Sequence, residues 1–223
     1  MAEKASVVRI VAFKDEPERA SVLREVATFL QAGGWIAYPT ETVYGFGCAL
    51  VQPTLHDLAV AKRPAMDRPF LLLVPEGWTS DALHWTEDAR KLMEAFWPGP
   101  LTLALDAQPG TFPAEVTAAD GTVAIRCSSH PAAAAIVRAL DAPLTSTSAN
   151  LPGAPPARDA VAAAAAAEQL GLPVQHWILD GGILDPSPSS TLVRVTTDGV
   201  RILRQGAIGT EAIRMVLGEA NVQ

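Results

Sequence analysis

The sequence has few cysteines and histidines, and it lacks a long apolar run. Its only cysteines, Cys48 and Cys127, lie far apart and lack the paired spacing of a zinc or redox motif. We therefore predict two reduced thiols in or near the core and a cytoplasmic location. The four histidines are scattered without HExxH spacing, which argues against a histidine-based zinc site. The sequence offers no run of about 20 apolar residues to cross a bilayer, and its N-terminus lacks the pattern of a signal peptide.

Several common nucleotide-binding and hydrolase motifs are also missing. The sequence contains no G-x-x-x-x-G-K-[ST] loop, no G-x-G-x-x-G fingerprint and no G-x-S-x-G elbow. The usual indications of P-loop ATPases, Rossmann dehydrogenases and esterases are therefore absent. Positive charge is scarce too, since the net charge is −7 and the pI is near 5.1, which disfavours strong nonspecific binding to RNA. If the protein uses a nucleotide, it must hold the phosphates in another way.

The composition and the order of segments predict one α/β domain over residues 1–223. Apolar residues make up 49% of the 223 residues, which is typical of a globular protein. Strand-like and helical segments alternate, without an internal repeat or a long linker. The predicted strands cover residues 7–13, 35–38, 70–74, 101–105, 122–127, 143–148, 177–179, 191–195 and 200–204. The predicted helices cover 17–32, 54–61, 86–96, 131–140 and 159–170, with Thr86 and Asp159 as N-caps.

The segment YPTETVYGFG, residues 38–47, places hydroxyls, a carboxyl and two glycines directly after a predicted strand. Pro39 has no backbone donor and should end that strand, while the glycines permit sharp turns or close backbone approaches. Two interpretations remain open from local chemistry alone. The segment is either a tight turn or the wall of a ligand site.

Cations and short hydroxyls form further candidate sites. Lys62, Arg63 and Arg68 could neutralise phosphate charge, although a solvated surface cluster would have the same composition. The segment TSTSAN, residues 145–150, could bind phosphate or carboxylate oxygens, or could cap a helix. Arg126 ends a predicted apolar strand, and a cation in that place needs a carboxylate or an anionic ligand as its partner.

Seven segments together resemble a known family. In chain order they are YPTETVYGFG, KRPAMDRPF, FWPGPLTL, VAIRCSSHP, LTSTSANLPG, PSSTLV and ILRQGAI. Their order strongly resembles the YrdC/Sua5 family, the L-threonylcarbamoyladenylate synthases, over about residues 20–208. The resemblance implies a twisted, mostly parallel mixed sheet, flanked by helices around a concave basic cavity.

The same resemblance implies an activity. Members of the family make threonylcarbamoyl-AMP from L-threonine, bicarbonate and ATP and release pyrophosphate, with Mg²⁺ accompanying the ATP. The product serves the formation of N6-threonylcarbamoyladenosine in tRNA. Because the chain ends soon after Arg204, we expect the short form, without the additional C-terminal domain of longer Sua5 proteins. The expected partners are separate threonylcarbamoyl-transferase proteins, with at most weak binding of tRNA or other double-stranded RNA and no membrane.

Residue roles follow from the matched motifs. The threonine and bicarbonate site would comprise Thr40, Thr42, Tyr44, Arg68, Arg126, Ser146 and Ser190. The ATP site would comprise Lys62, Arg63, Ser148, Asn150 and Arg204, of which the first four would be catalytic. No side chain is expected to ligate a metal.

The sequence departs from the family at the phosphate clamp, where relatives have K-x-R-P. Here Lys62 and Arg63 are adjacent, residue 61 is alanine, and the loop to Pro69 is one residue longer. Either the loop shifts so that Lys62 reaches the phosphates, or the clamp is incomplete, as would suit a YciO-like paralogue of altered activity. Two further alternatives stay open. One is a carbamoyl-adenylate enzyme with another acceptor, as in hydrogenase maturation factors, and the other is an RNA-binding module without turnover.

Overall fold

The computed structural model describes residues 8–62, 69–172, 176–219 and 222. The strands are β1 (Val8–Ala12), β2 (Trp35–Pro39), β3 (Tyr44–Cys48), β4 (Leu71–Leu73), β5 (Leu101–Asp106), β6 (Thr122–Arg126), β7 (Leu144–Ser148), β8 (His176–Asp180), β9 (Thr191–Thr196) and β10 (Gly199–Arg204). The helices are α1 (Glu16–Gln31), α2 (Thr54–Lys62), α3 (Glu87–Phe96), α4 (Pro131–Leu140), α5 (Ala160–Gln169) and α6 (Thr210–Leu217). In these residues no helix has the length and apolar character that crossing a membrane requires.

All ten of these strands belong to one sheet, in the order β1-β8-β2-β3-β7-β4-β6-β5-β9-β10. The predicted mixed α/β architecture is therefore confirmed. The parallel share is smaller than expected, because four strand pairs are parallel and five are antiparallel. Strand β3 accounts for two of the five antiparallel pairs, because it is antiparallel to both of its neighbours, β2 and β7.

Strand β3 was missed by the sequence analysis because its two glycines resemble a turn. Glycine is depleted in strands, so local propensity disfavours a strand here. The packing explains one of the glycines, since a Cβ at Gly47 would lie 2.1 Å from the carbonyl oxygen of Thr145 on β7. Glycine thus permits the close approach of two neighbouring strands. Helix α6 was missed as well, and its N-cap, Gly209, makes no side-chain capping bond that would mark its start.

Helices cover both faces of the sheet around β2. Trp35 and Ala37 pack into a core cluster that includes residues of α2, α3, α5 and α6. Ile36 and Tyr38 point to the other face and pack with α1 and α4. This alternation is the period of two expected for a strand buried on both sides.

Other expectations about the scaffold are confirmed. Thr86 accepts a hydrogen bond from the backbone N–H of Ala89, and Asp159 accepts one from Ala162, so both predicted N-caps are present. Cys48 and Cys127 are buried free thiols. Burial raises the pKa of each thiol to about 11, so both are protonated at neutral pH.

Candidate active site

A cavity of about 710 Å³ opens on the half of the sheet that runs from β3 to β10. Seven neighbouring strands contribute to its wall, which is large enough for a small-molecule ligand. Its charged lining residues, within the described part of the chain, are Arg126, Arg204 and Asp120. Asp120 lies 3.6 Å from the guanidinium of Arg194, and hydrogen bonds from Thr122 together with that charge keep its pKa low despite partial burial. The charged part of the wall is therefore biased toward positive charge.

The residues between β2 and β3 form a tight turn that also lines the cavity. The hydroxyl of Thr40 donates to the carbonyl oxygen of Val43 at 2.7 Å and accepts from the backbone N–H of Thr42 and Val43 at 3.2 Å. The hydroxyls of Thr40 and Thr42 lie 3.0 Å apart. Either hydroxyl can supply the hydrogen of this contact, and in both cases the Thr42 oxygen keeps a free lone pair. This lone pair can accept a hydrogen bond from a ligand, so the turn and the ligand site are the same feature.

Arg126 lies at the end of β6 and is 4% exposed. Its Nε donates to the carbonyl oxygen of Gly99 at 3.2 Å, and its Nη2 forms an ion pair with the carboxylate of Glu41. Burial opposes ionisation of Glu41, but the charge of Arg126 and a hydrogen bond from Ser128 outweigh it and lower the pKa of that carboxyl. The buried cation therefore has a carboxylate partner and still borders the cavity.

Lys62 is 3% exposed and is held by the turn that follows β7. Its ammonium donates to the carbonyl oxygens of Ser148 and Asn150, both at 2.8 Å, and to Oδ1 of Asn150 at 3.0 Å. These contacts occupy the three donors of a lysine ammonium. Burial lowers the pKa of Lys62 to about 8, whereas the three oxygen acceptors favour the charged form.

The same turn closes on itself around Asn150. The hydroxyl of Ser148 donates to Oδ1 of Asn150 at 2.6 Å, and Nδ2 of Asn150 donates to the carbonyl oxygen of Ala154 at 2.7 Å. Of the three residues Lys62, Ser148 and Asn150, Ser148 alone is among the described residues that line the cavity. The structure therefore brings the three residues together. The sequence analysis predicted that Lys62 contacts phosphate at the cavity, but the structure places Lys62 behind the cavity wall.

Arg204 and Ser190 form a third cluster at the far side of the cavity. Arg204 donates from Nε and Nη2 to the carbonyl oxygen of Ser190 at 3.2 and 3.0 Å, and from Nη2 to its hydroxyl at 3.1 Å. The hydroxyl of Ser190 lies 2.8 Å from that of Thr102, which is buried in β5. All three residues line the cavity.

Two predicted threonine-site residues on neighbouring strands have different placements. Ser146 on β7 lines the cavity. Tyr44 on β3 is fully buried on the opposite face, among core residues, and is not part of the described lining. Its hydroxyl donates to the carbonyl oxygen of Gly182 at 2.8 Å and accepts from the N–H of Gly181 at 2.9 Å. Alternation along β3 turns the side chain of Tyr44 away from the face that Gly45 presents, so Tyr44 lies outside the described lining, and its role in the threonine site stays a prediction.

Two predicted site residues lie outside the described part of the chain, and three residues at the site were not predicted. Arg63 and Arg68 lie outside the described residues. Three residues with contacts at the site were not predicted: Glu41, Ser128 and Thr102. One feature of the sequence could have indicated Glu41. A buried arginine needs an acidic partner, and Glu41 is the carboxyl in the segment 38–47. No sequence signal distinguished Ser128 or Thr102.

The fold and cavity define an α/β protein whose sheet presents arginines and hydroxyls to one cavity. The Sua5/YciO/YrdC family model, described as telomere recombination, matches residues 28–206. The chain belongs to this family, which confirms the resemblance found in the sequence.

Individual relatives agree with this assignment. The chain is 39% identical over 176 residues to a threonylcarbamoyl-AMP synthase of Stenotrophomonas maltophilia, covering 73% of this chain and 89% of that relative. A crystal structure of Pyrococcus abyssi Sua5 complexed with L-threonine superposes with a TM-score of 0.83 at 30% identity, over 97% of this chain. The match covers 62% of that longer protein. Escherichia coli YciO has a TM-score of 0.77 at 23% identity, covering 93% of this chain and 99% of YciO, which shows the shared fold.

Proposed function

We propose that this protein is a threonylcarbamoyl-AMP synthase that uses L-threonine, bicarbonate and ATP. The observation that carries the proposal is the presence of a buried guanidinium, Arg126, and of a hydroxyl that can accept, Thr42, in the wall of one cavity. Such a pair suits the carboxylate and ammonium of an amino-acid zwitterion. The named synthase from S. maltophilia and the threonine complex of P. abyssi Sua5 support this assignment.

In the threonine site, Arg126 would bind the α-carboxylate and Thr42 would accept from the α-ammonium. Thr40, whose hydroxyl lies 3.0 Å from that of Thr42, would help to position the Thr42 hydroxyl. Ser146 and Ser190, which line the same cavity, would complete the polar wall toward threonine and bicarbonate. Arg68 remains proposed for this site on the matched motif alone.

In the ATP site, Ser148 and Arg204 would contact the nucleotide from the cavity wall. Asn150 would support Ser148, and Lys62 would hold the carbonyl oxygens of both. Arg63 remains proposed as the phosphate cation of the clamp. Within the described residues no group of three or more His, Cys, Asp and Glu is placed to hold a metal ion. We propose that Mg²⁺ enters as part of the MgATP substrate, where it would neutralise phosphate charge.

The reaction requires the protein to position the substrates and to stabilise negative charge. The amine of threonine and bicarbonate form a carbamate with loss of water. A carbamate oxygen then bonds to the α-phosphorus of ATP, and the bond from that phosphorus to the bridging oxygen breaks to release pyrophosphate. No protein nucleophile is needed, so cations and oriented donors at the cavity wall are suitable catalytic groups.

The alternatives have weaker support. The identity of 23% to YciO indicates only a common fold, compared with 39% to a named synthase. A binding module for RNA is disfavoured by the net charge of −7 and by the cavity, which suits a small molecule. We further propose that residues 1–223 act as one domain and hand the adenylate to separate transferase proteins.

The test is pyrophosphate release by the purified chain with MgATP and bicarbonate, with and without L-threonine. We expect release that depends on both threonine and bicarbonate. Release of equal rate without threonine would assign a different carbamoyl acceptor. Salt-sensitive RNA binding without any consumption of ATP would favour the RNA-binding alternative.

A further inference from the structure

Glu41 contacts Arg126 from behind the cavity wall. Arg126 lines the cavity, whereas Glu41 is not among the described lining residues, and the side chain of Glu41 is 18% exposed. We propose that Glu41 is a positioning residue, which fixes the guanidinium of Arg126 for the α-carboxylate of the amino-acid substrate. This inference rests on the proposed function for its substrate, although the placement of Arg126 can be measured without it.

Two protein groups set the direction of the guanidinium. The carbonyl oxygen of Gly99 accepts from Nε at 3.2 Å, and the carboxylate of Glu41 pairs with Nη2. Because a guanidinium is planar, contacts at Nε and one Nη fix the plane in which the other N–H groups lie. Those groups are the ones that can meet a carboxylate in the cavity.

Glu41 is itself held by the start of α4. Its carboxylate accepts from the hydroxyl of Ser128 and, at 3.4 Å, from the N–H of Ser129. The hydroxyl of Ser128 accepts from the N–H of His130 at 3.2 Å, and Nδ1 of His130 caps the helix by accepting from Ala132. The position of Glu41 is therefore tied to a helix terminus and not to a free loop.

The pairing also explains how a nearly buried arginine is tolerated without substrate. A buried charge without a partner is costly, and Glu41 supplies that partner in the ligand-free chain. Loss of Glu41 has two opposed effects on an anionic substrate. The net positive charge increases, but this attraction is screened in a water-filled cavity, whereas the lost orientation acts directly on the hydrogen bonds. We therefore expect that loss of Glu41 weakens threonine binding overall.

The kinetic test compares Glu41→Gln with the wild-type enzyme. We expect the KM for threonine to rise by about tenfold, with kcat and the KM for ATP within about twofold. Ser128→Ala, which removes one bond to Glu41, should raise the threonine KM by about threefold. The matched control is Glu115→Gln, since Glu115 is also a shielded glutamate, paired with His56 away from the cavity, and should leave all constants unchanged. An unchanged or lower threonine KM in Glu41→Gln would overturn the proposal.

A double-variant cycle tests whether Glu41 acts through Arg126. Arg126→Ala alone should raise the threonine KM strongly, and adding Glu41→Gln to it should have no further effect. Additive losses would instead mean that Glu41 meets the substrate directly.

A spectroscopic measurement separates this proposal from the proposed function. In ¹⁵N NMR spectra of the ligand-free chain, the Nε–H of Arg126, identified by its loss in Arg126→Ala, should exchange slowly in the wild type. In Glu41→Gln the signal should shift and exchange faster. An unaltered signal would overturn the positioning role. An altered signal in a protein without threonine-dependent turnover would retain the positioning role and reject only the synthase assignment.

Discussion

The Nζ of Lys62 lies 3.0 Å from Oδ1 of Asn150, and the same ammonium holds two backbone carbonyl oxygens of the turn after β7. The sequence analysis predicted that Lys62 contacts phosphate. In the structure Lys62 joins the end of α2 to the Ser148–Asn150 turn, and Ser148 of this turn lines the cavity. We propose that Lys62 supports this turn.

Lys62→Met tests this role with a side chain of similar length and no charge. Three oxygen atoms lose their donor, so we expect a loss of about 1–3 kcal/mol in the free energy of unfolding. The KM for ATP should rise by about tenfold while the KM for threonine changes little. Urea unfolding and steady-state kinetics measure the two effects. Lys91→Met is the control, because Lys91 is an exposed lysine paired with Glu87 on α3, and full stability and activity are expected there. A fully stable Lys62→Met protein would reject the supporting role.

Tyr44→Phe tests whether the Tyr44 hydroxyl stabilises the fold or contacts threonine. The change removes only a hydroxyl, and it leaves the N–H of Gly181 and the carbonyl of Gly182 without this partner. We expect a loss of about 1–3 kcal/mol of stability and a threonine KM within about threefold of the wild type. Thermal or urea unfolding and kinetics measure these outcomes. A rise in the threonine KM of more than about tenfold, at unchanged stability, would assign the hydroxyl to the substrate site.

Gly47→Ala tests why β3 contains glycine. Its Cβ would lie 2.1 Å from the carbonyl oxygen of Thr145, so β3 and β7 would have to move apart. We expect a loss of more than about 2 kcal/mol in the free energy of unfolding. In Gly209→Ala, the control, the new Cβ has no neighbour within 4 Å, and only the poorer capping by alanine should act, a loss of about 1 kcal/mol or less. Equal stability of the two variants would contradict the packing explanation.

The ion pair of Glu41 predicts a specific dependence of stability on pH. Its folded pKa is lowered below the usual value of 4.5 by Arg126 and Ser128, against the opposing effect of burial. Between the folded pKa and 4.5 the unfolded chain binds more protons, so stability rises with pH in that window. The contribution of Glu41 is present above pH 4.5 and is lost as pH falls through the folded pKa. Urea unfolding from neutral to acidic pH should show a steeper acid loss for the wild type than for Glu41→Gln, and parallel curves would contradict the ion pair.

Local sequence signals predicted most helices and strands because those elements carry local information. The caps of α3 and α5, for example, are set by Thr86 and Asp159 next to an apolar period. Strand β3 was not predicted, because glycine is required at residue 47 by the close approach of a carbonyl group on β7, which is distant in sequence. The contacts of Lys62 with the turn after β7 could not be predicted for the same reason, since its acceptors lie 86 and 88 residues away. Motif order identified the family, but it could not distinguish residues that face the cavity from those that support its wall.

The most direct measurement follows carbon from bicarbonate. The purified chain is incubated with MgATP, L-threonine and ¹³C-bicarbonate, and the adenylate fraction is examined at once by mass spectrometry. We expect ¹³C-labelled threonylcarbamoyl-AMP in the wild-type reaction and none when threonine is omitted. In Arg126→Ala at low threonine the yield should be greatly reduced. ATP turnover without a labelled threonine adduct, or no turnover at all, would contradict the proposed function.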